Sequence, residues 1–290
     1  MTTARVGRAF AFALGMQKVA IACLGLPVVA VIGGISLVGR NVVRAAPEVP
    51  LGTPHVEVPA GTFQMGSTSG APDEQPVHRV SGAAFVMDRY EVTNARYALC
   101  VADGICSPPS LTSSFKRPAY YGVAELADYP VIHVSWGQAD TFCAWAGGRL
   151  PTEAEWERAA RGTADSRTYP WGDSAPDCDK ANFAGCIGDT DRVGRRPAGQ
   201  SPYGVFDMAG NVWEWTADWY EAGYYTRSPD QEPTGPDAGY MKVMRGGCWV
   251  SGTSSLRATC RKAELPSSWA PNVGFRCVYP TTAGQTGGRP

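Results

Sequence analysis

The chain has 290 residues, a formal net charge of −1 and 18% charged residues, with both signs mixed throughout. That balance excludes a general nucleic-acid binder, which carries a basic stripe, and 10% aromatic residues exclude an intrinsically disordered chain. Abundant Gly (34) and Pro (23) point to a loop-rich globular domain, and the length is enough to bury a substantial core.

Residues 1–45 read as an export signal. Arg5, Arg8 and Lys18 precede an apolar run from Val19 to Val38, and Val43-Arg44-Ala45 resembles a signal-peptidase site with cleavage after Ala45. The run is also long enough to span a membrane, so an uncleaved anchor is the competing reading. Apolar residues continue beyond Cys23, which argues against a lipoprotein site there. Either way the globular part is expected outside the cytoplasm, periplasmic or extracellular, and the membrane is a partner only if the signal is retained. Residues 46–54 form a Pro-rich linker, 55–280 a single monomeric domain, and 281–290 a Gly-rich tail.

Within the domain, His55-Val56-Glu57-Val58 alternates like a strand, and Pro59 to Gly66 reads as a turn and a second strand that closes a hairpin with it. Val77 to Met87 returns as one strand. Thr93 or Asn94 caps a helix that runs to Gly104. Ser107 to Tyr129 is a Pro-containing loop, and Val131 to Val134 a short buried strand. Ser135 then caps a helix from Trp136 to Ala146, stopped by Gly147-Gly148. Thr152-Glu153-Ala154-Glu155 is a capping box for a helix that ends at Gly162. Tyr169 to Tyr203 lacks periodicity.

Gly204 to Trp219 packs three Trp and four acids or amides (Asp207, Asn211, Glu214, Asp218) around Gly210. Converging oxygens around a Gly turn suit a hard cation, magnesium or calcium, and the absence of nearby His and Cys excludes zinc. The alternative is that Trp213, Trp215 and Trp219 are core and rim aromatics with their acids in water. Met241 to Arg245 is a strand ending in Gly246-Gly247. The last elements fall at Ser255 to Arg261 and Gly274 to Val278.

Setting Cys23 aside leaves eight Cys, an even number that in an exported chain reads as four disulfides. Local spacing favours Cys100–Cys106 and Cys178–Cys186. His55, His78 and His133 fit no metal motif, and His133 reads as a strand or core residue. Ser251, Ser254 and Ser255 lack the Gly-x-Ser-x-Gly elbow of a serine nucleophile.

Taken together, Pro59-Ala-Gly-Thr-Phe-Gln-Met-Gly66, Glu91-Val-Thr-Asn94, Pro130-Val-Ile-His-Val-Ser-Trp136, Gly148-Arg-Leu-Pro-Thr-Glu-Ala-Glu-Trp156, Pro170-Trp-Gly172, Met208-Ala-Gly-Asn-Val-Trp-Glu-Trp215, Arg245-Gly-Gly247 and Gly274-Phe-Arg-Cys277 resemble, in order and spacing, the formylglycine-generating enzymes of the sulfatase-modifying factor family. The resemblance implies an α+β domain, a loop-rich variant of the C-type-lectin fold with little regular structure and bound calcium. It implies calcium ligands at Asp207, Gly210, Val212 and Glu214, and a second, shortened site at Asn182 and Phe183. Active members hold copper(I) between two Cys that follow the Arg-Gly-Gly motif, as soft thiolates suit that ion. Here the corresponding Ser position is Cys248 and the two Cys positions are Ser251 and Leu256, or Ser255 with a different gap. Copper and the oxidation of a substrate cysteine are therefore expected to be absent.

The resemblance also pairs Cys143 with Cys277. Cys260 matches a family disulfide cysteine whose usual partner falls at Ala160, which leaves Cys248 as its partner; the other possibility is a relocated thiolate pair of Cys248 and Cys260. Trp249, Trp269 and Arg276 lie in segments that build the family's substrate groove. Two functions follow as expectations. One is a calcium-stabilised module binding a peptide, protein or glycan; the other is a divergent periplasmic oxidoreductase like the oxidase-like proteins of pyoverdine maturation, which also lack the copper pair.

Overall fold

The computed structural model describes residues 54–164 and 166–281. The expected signal and most of the linker, up to residue 53, and the tail from residue 282 lie outside the described residues. No helix among the described residues is long and apolar enough to cross a membrane.

Among the described residues, nine strands form three small sheets, accompanied by three α-helices. Strands β1 (His55–Val58), β4 (Phe85–Asp88) and β9 (Val278–Tyr279) form one antiparallel sheet with β4 in the middle. Strands β2 (Gly61–Met65) and β3 (His78–Gly82) form a two-stranded ribbon. The third sheet is mixed, in the order β7 (Arg261–Glu264), β6 (Lys242–Arg245), β5 (Trp213–Trp219), β8 (Val273–Gly274), with β5 and β8 parallel. The expected hairpin of the first two strands does not form. Val58 faces the interior with Phe85 and Met87, so β1 pairs with β4 in the register His55↔Asp88 to Val58↔Phe85. The expected single strand from Val77 to Met87 divides at Ala83 and Ala84, one half serving each sheet.

Helix α1 (Asn94–Ala102) starts where the Thr93 hydroxyl accepts from Arg96 N, at 3.3 Å. Helix α2 (Trp136–Trp145) begins with a capping box of Ser135 and Gln138. Val131 to Val134 is not a strand, because His133 has φ 58° and breaks the extended run. Helix α3 (Glu153–Arg161) carries the expected Thr152–Glu155 capping box and ends at Gly162, φ 75°. Eight of its nine residues are buried, including Glu153, Glu157, Arg158 and Arg161. Burying those charges requires partners. Arg245 of β6 contacts Glu153 at 3.0 Å and also pairs with Glu157, and Arg261 of β7 meets Glu153 at 2.6 and 2.8 Å. The helix thus docks on the mixed sheet through ion pairs, while Trp156, Ala159 and Ala160 pack on Val58, Phe85 and Met87.

Among the described residues three disulfides, Cys100–Cys106, Cys143–Cys277 and Cys178–Cys186, are formed. They suit an oxidising, exported setting. Cys143–Cys277 ties α2 to the segment before β9 in the largest apolar cluster of the described residues, where Tyr97 stacks on Phe142 and Phe275 meets both rings edge-on.

Candidate functional site

The turn into β5 gathers acids in the interior. Asp207 (φ 56°), Gly210 (φ 86°) and Asn211 (φ 62°) lie in the left-handed region. A Cβ on Gly210 would stand 2.3 Å from the Asn182 carbonyl oxygen, so this crossing requires glycine. Asp207, Glu214 and Glu91 are buried together. Glu91, which precedes α1, accepts from the Asn211 side-chain amide at 2.6 Å and from Val212 N at 3.2 Å. Glu214 accepts two bonds from Arg276, at 2.6 and 2.7 Å, and one from Trp156 Nε1 at 2.8 Å. Burial, reinforced by the charges of Asp207 and Glu214, raises the Glu91 pKa well above its ordinary value. Burial also pushes Asp207 up to about 6, against the Gly194 N–H and the charges of Arg276 and Arg196.

A hard dication placed here would offset the charge of these crowded acids, to which one arginine alone bonds, and would favour their ionised forms. Among the described residues no three His, Cys, Asp or Glu side chains converge enough to hold an ion by themselves. Calcium would therefore need the carbonyls of Gly210 and Val212 beside Asp207 and Glu214. At the second expected position, Asn182 donates to the Asp189 carbonyl at 2.9 Å and to Asn211 Oδ1 at 3.2 Å, and its own Oδ1 is buried without a hydrogen-bond partner. Phe183 offers less: its carbonyl accepts from Cys186 N at 3.0 Å in the turn closed by Cys178–Cys186. Asp218 does not join the cluster, since its carboxylate caps α3 by accepting from Glu153 N at 2.8 Å.

Arg276 is not a groove residue. It is fully buried, and beyond Glu214 it donates to the carbonyls of Asp88, Arg89 and Phe206. Nor do Cys248 and Cys260 pair. The β6–β7 register ends at Arg245↔Arg261, which places Gly246 rather than Cys248 across from Cys260. Gly246 and Gly247 (φ 95° and 74°) then carry the chain away toward Asn211, whose carbonyl accepts from Trp249 N at 2.9 Å. Cys248 ends buried, its sulfur 3.3 Å from Ser251 Oγ and 3.2 Å from Asn272 Nδ2. Cys260 stays at the start of β7 with its thiol pKa raised by burial. Both are free thiols with separate surroundings, so neither the fourth disulfide nor a relocated thiolate pair is present.

Leu256 is fully buried with Ala181 and Ala209 beneath Tyr169, Trp171 and Phe183. Ser251 Oγ accepts from Cys248 N at 3.0 Å. A hydroxyl and an alkyl side chain cannot reproduce a two-thiolate copper(I) site, so copper does not fit.

Two aromatic pairs bring rings to the surface, Phe115 with Trp249 and Trp269 with His133. Trp249 is buried, donates to the Pro271 carbonyl at 3.2 Å, and stands 5.1 Å from the ring of Phe115, which is 66% exposed. Trp269 is 44% exposed and meets His133 edge-on at 5.6 Å. His133 is buried at its left-handed φ with Nδ1 unpartnered, and burial lowers its pKa. The sequence reading missed Phe115, which sits in a Pro-rich loop without periodicity. It also missed Glu91, visible only as part of a motif leading into a helix.

Residues 42–281 match the family described as the sulfatase-modifying factor enzyme 1-like domain. The chain belongs to that family. The formylglycine-generating enzyme of Streptomyces coelicolor is 34% identical over 280 residues, covering 77% of this chain and 88% of that protein. A Bos taurus protein named inactive C-alpha-formylglycine-generating enzyme 2 is 32% identical over 275 residues, covering 77% and 87%. The structure of PvdO from Pseudomonas aeruginosa superposes with a TM-score of 0.65 at 28% identity, covering 78% of this chain and 94% of that one. The chain spans only 38–41% of the length of the chlamydial serine/threonine-protein kinases that it also matches. Within the sulfatase-modifying factor family, then, this member keeps the mixed sheets and few helices of a formylglycine-generating-enzyme-like fold and carries Ser251 and Leu256 where the resemblance placed a copper pair.

Proposed function

We propose that this domain is an exported, calcium-stabilised peptide-binding member of its family that does not oxidise cysteine to formylglycine. The observation that carries the reading is the replacement of the copper positions by Ser251 and by a Leu256 sealed in the core, together with the exposed aromatics Phe115, against Trp249, and Trp269, against His133, which we take as one ledge. Aromatic side chains over a preformed surface give contact area at low entropic cost. The lectin-like character of the fold belongs to this reading: short strands, a mixed sheet and long ordered loops present the ledge. A relative that bears the word inactive in its name supports loss of the oxidation within the family.

A divergent oxidoreductase is the second reading, favoured by the likeness to PvdO. Its natural reactive group is Cys248, which accepts a bond from Asn272.

The test incubates the chain with copper and a Cys-x-Pro-x-Arg peptide, with mass spectrometry of the product and fluorescence anisotropy of labelled random peptides. Unchanged cysteine, together with peptide binding weakened by Trp269→Ala and Phe115→Ala, is the expected result. Aldehyde formation that vanishes in Cys248→Ala would replace this reading with the second.

A further inference from the structure

A pocket of about 380 Å³ lies between the β2–β3 ribbon, the first turns of α3 and the segment from Glu232 to Thr234. It shares no residue with the aromatic ledge or the acid cluster. Phe63, Val80, Ala154, Ala217 and Pro233 make its apolar lining. The segment over it is fixed: Ser81 N donates to the Asp230 carbonyl at 2.7 Å, Glu232 N to the Ser81 carbonyl at 2.9 Å, and Ala83 N to Glu232 Oε1 at 3.0 Å. Glu232 itself is held at φ 44°, a backbone state that a non-glycine residue adopts at a cost and that concentrates at binding sites.

The charges around the pocket are unevenly matched. Arg149 is satisfied by two bonds to Glu155, at 2.6 and 2.7 Å. Arg158 is only 2% exposed and forms no ion pair among the described residues. Its guanidinium donates only to carbonyls, from Nη1 to Gly61 at 3.2 Å and Gly82 at 2.7 Å, and from Nη2 to Ala83. Nε is buried with no hydrogen-bond partner. It belongs to the guanidinium edge that, with Nη2, grips a carboxylate in two-pronged fashion. Burial lowers the Arg158 pKa, and the charges of Glu155 and Glu232 offset this only in part, since Glu155 pairs with Arg149 and Glu232 accepts from Ala83 N; a buried cation without a direct ion pair is costly.

We infer that this pocket binds a small organic carboxylate with an apolar body, its anion compensating Arg158 and its body resting on Phe63, Val80 and Pro233. The carboxylate comes from a free acid or from the end of a peptide chain. Pockets of this size, apolar with a few placed polar groups, take single small molecules.

The experiment titrates the purified full chain with phenylacetate, phenylacetamide, and the tripeptide Ala-Ala-Phe as free acid and as amide, reading amide chemical shifts and melting temperature. Saturable binding of the acids, at least about tenfold tighter than of the amides, is expected from loss of the charge-assisted fork. Arg158→Lys should weaken acid binding by about the same factor. Because Arg158 also braces three carbonyls, Thr234→Trp serves as a second variant: it fills the exposed rim and should block the acids while leaving peptide binding at Trp269 intact. Tighter binding of the tripeptide acid than of phenylacetate identifies a chain end as the source, and the reverse order a free acid. Equal binding of acid and amide, or acid binding unchanged in both variants, overturns the inference.

Discussion

Glu214 and Arg276 carry the interior of the acid cluster, and their burial sets what substitution there does. Arg276 compensates Glu214 directly and Asp207 and Glu91 at longer range. Arg276→Met should therefore destabilise the domain by about 3–5 kcal/mol, the range for stranding a buried charge. Glu214→Gln, which keeps an oxygen for Trp156 Nε1 and Arg276, should cost less. Urea denaturation of both variants checks the order, and equal losses would contradict it. The sequence made Glu214 legible as an oxygen donor because its neighbours form a local turn. It could not reveal the depth of Arg276, since a Gly-Phe-Arg-Cys string gives order along the chain and no distance to water. Glu91 was hidden for a related reason: 120 residues separate it from Asn211, its closest partner.

At the scale of elements, what rests on neighbouring residues was readable and what rests on distant pairing was not. The Thr152–Glu155 capping box and the Gly162 stop bracket the nine residues of α3 with signals local to its two ends. The pairing of β1 with β4 depends on which strand offers Phe85 and Met87 to the core, and a hairpin reading from the adjacent Pro59-Ala60-Gly61 turn cannot know that. The junction of α3 with β5 yields a pH dependence. Burial, with Glu153 as the next cause, pushes Asp218 up to about 8. A carboxyl with a raised folded pKa holds a proton that the unfolded chain releases near pH 4. Its contribution is fully present below that point and is lost as pH rises toward 8. Asp218→Asn keeps an acceptor for Glu153 N without the charge. The variant should gain stability relative to the parent as pH rises from 5 to 8, by up to about 1.4 kcal/mol per pH unit. Parallel melting curves at all pH values would show that Asp218 is ionised in the folded state.

For the whole molecule, the acid cluster joins the start of α1, the turn before β5 and the segment before β9, so a cation bound there would stabilise the entire domain by mass action. Chelation should lower the melting temperature, and Glu214→Ala should remove that sensitivity; a melting curve indifferent to chelator and to added calcium argues against the ion. The same architecture has a mechanical side. Among the described residues, β9 is the one strand on the carboxyl side of the Cys143–Cys277 bridge, whereas from the amino side β1 to β4 precede the first bridged residue, Cys100. Tension applied at the amino end should strip the four strands progressively, and the same load at the carboxyl end should meet a covalent stop almost at once. Single-molecule pulling from each end reads this as a long extension in one case and a short one in the other. A domain built this way bears load from its carboxyl side and yields from its amino side.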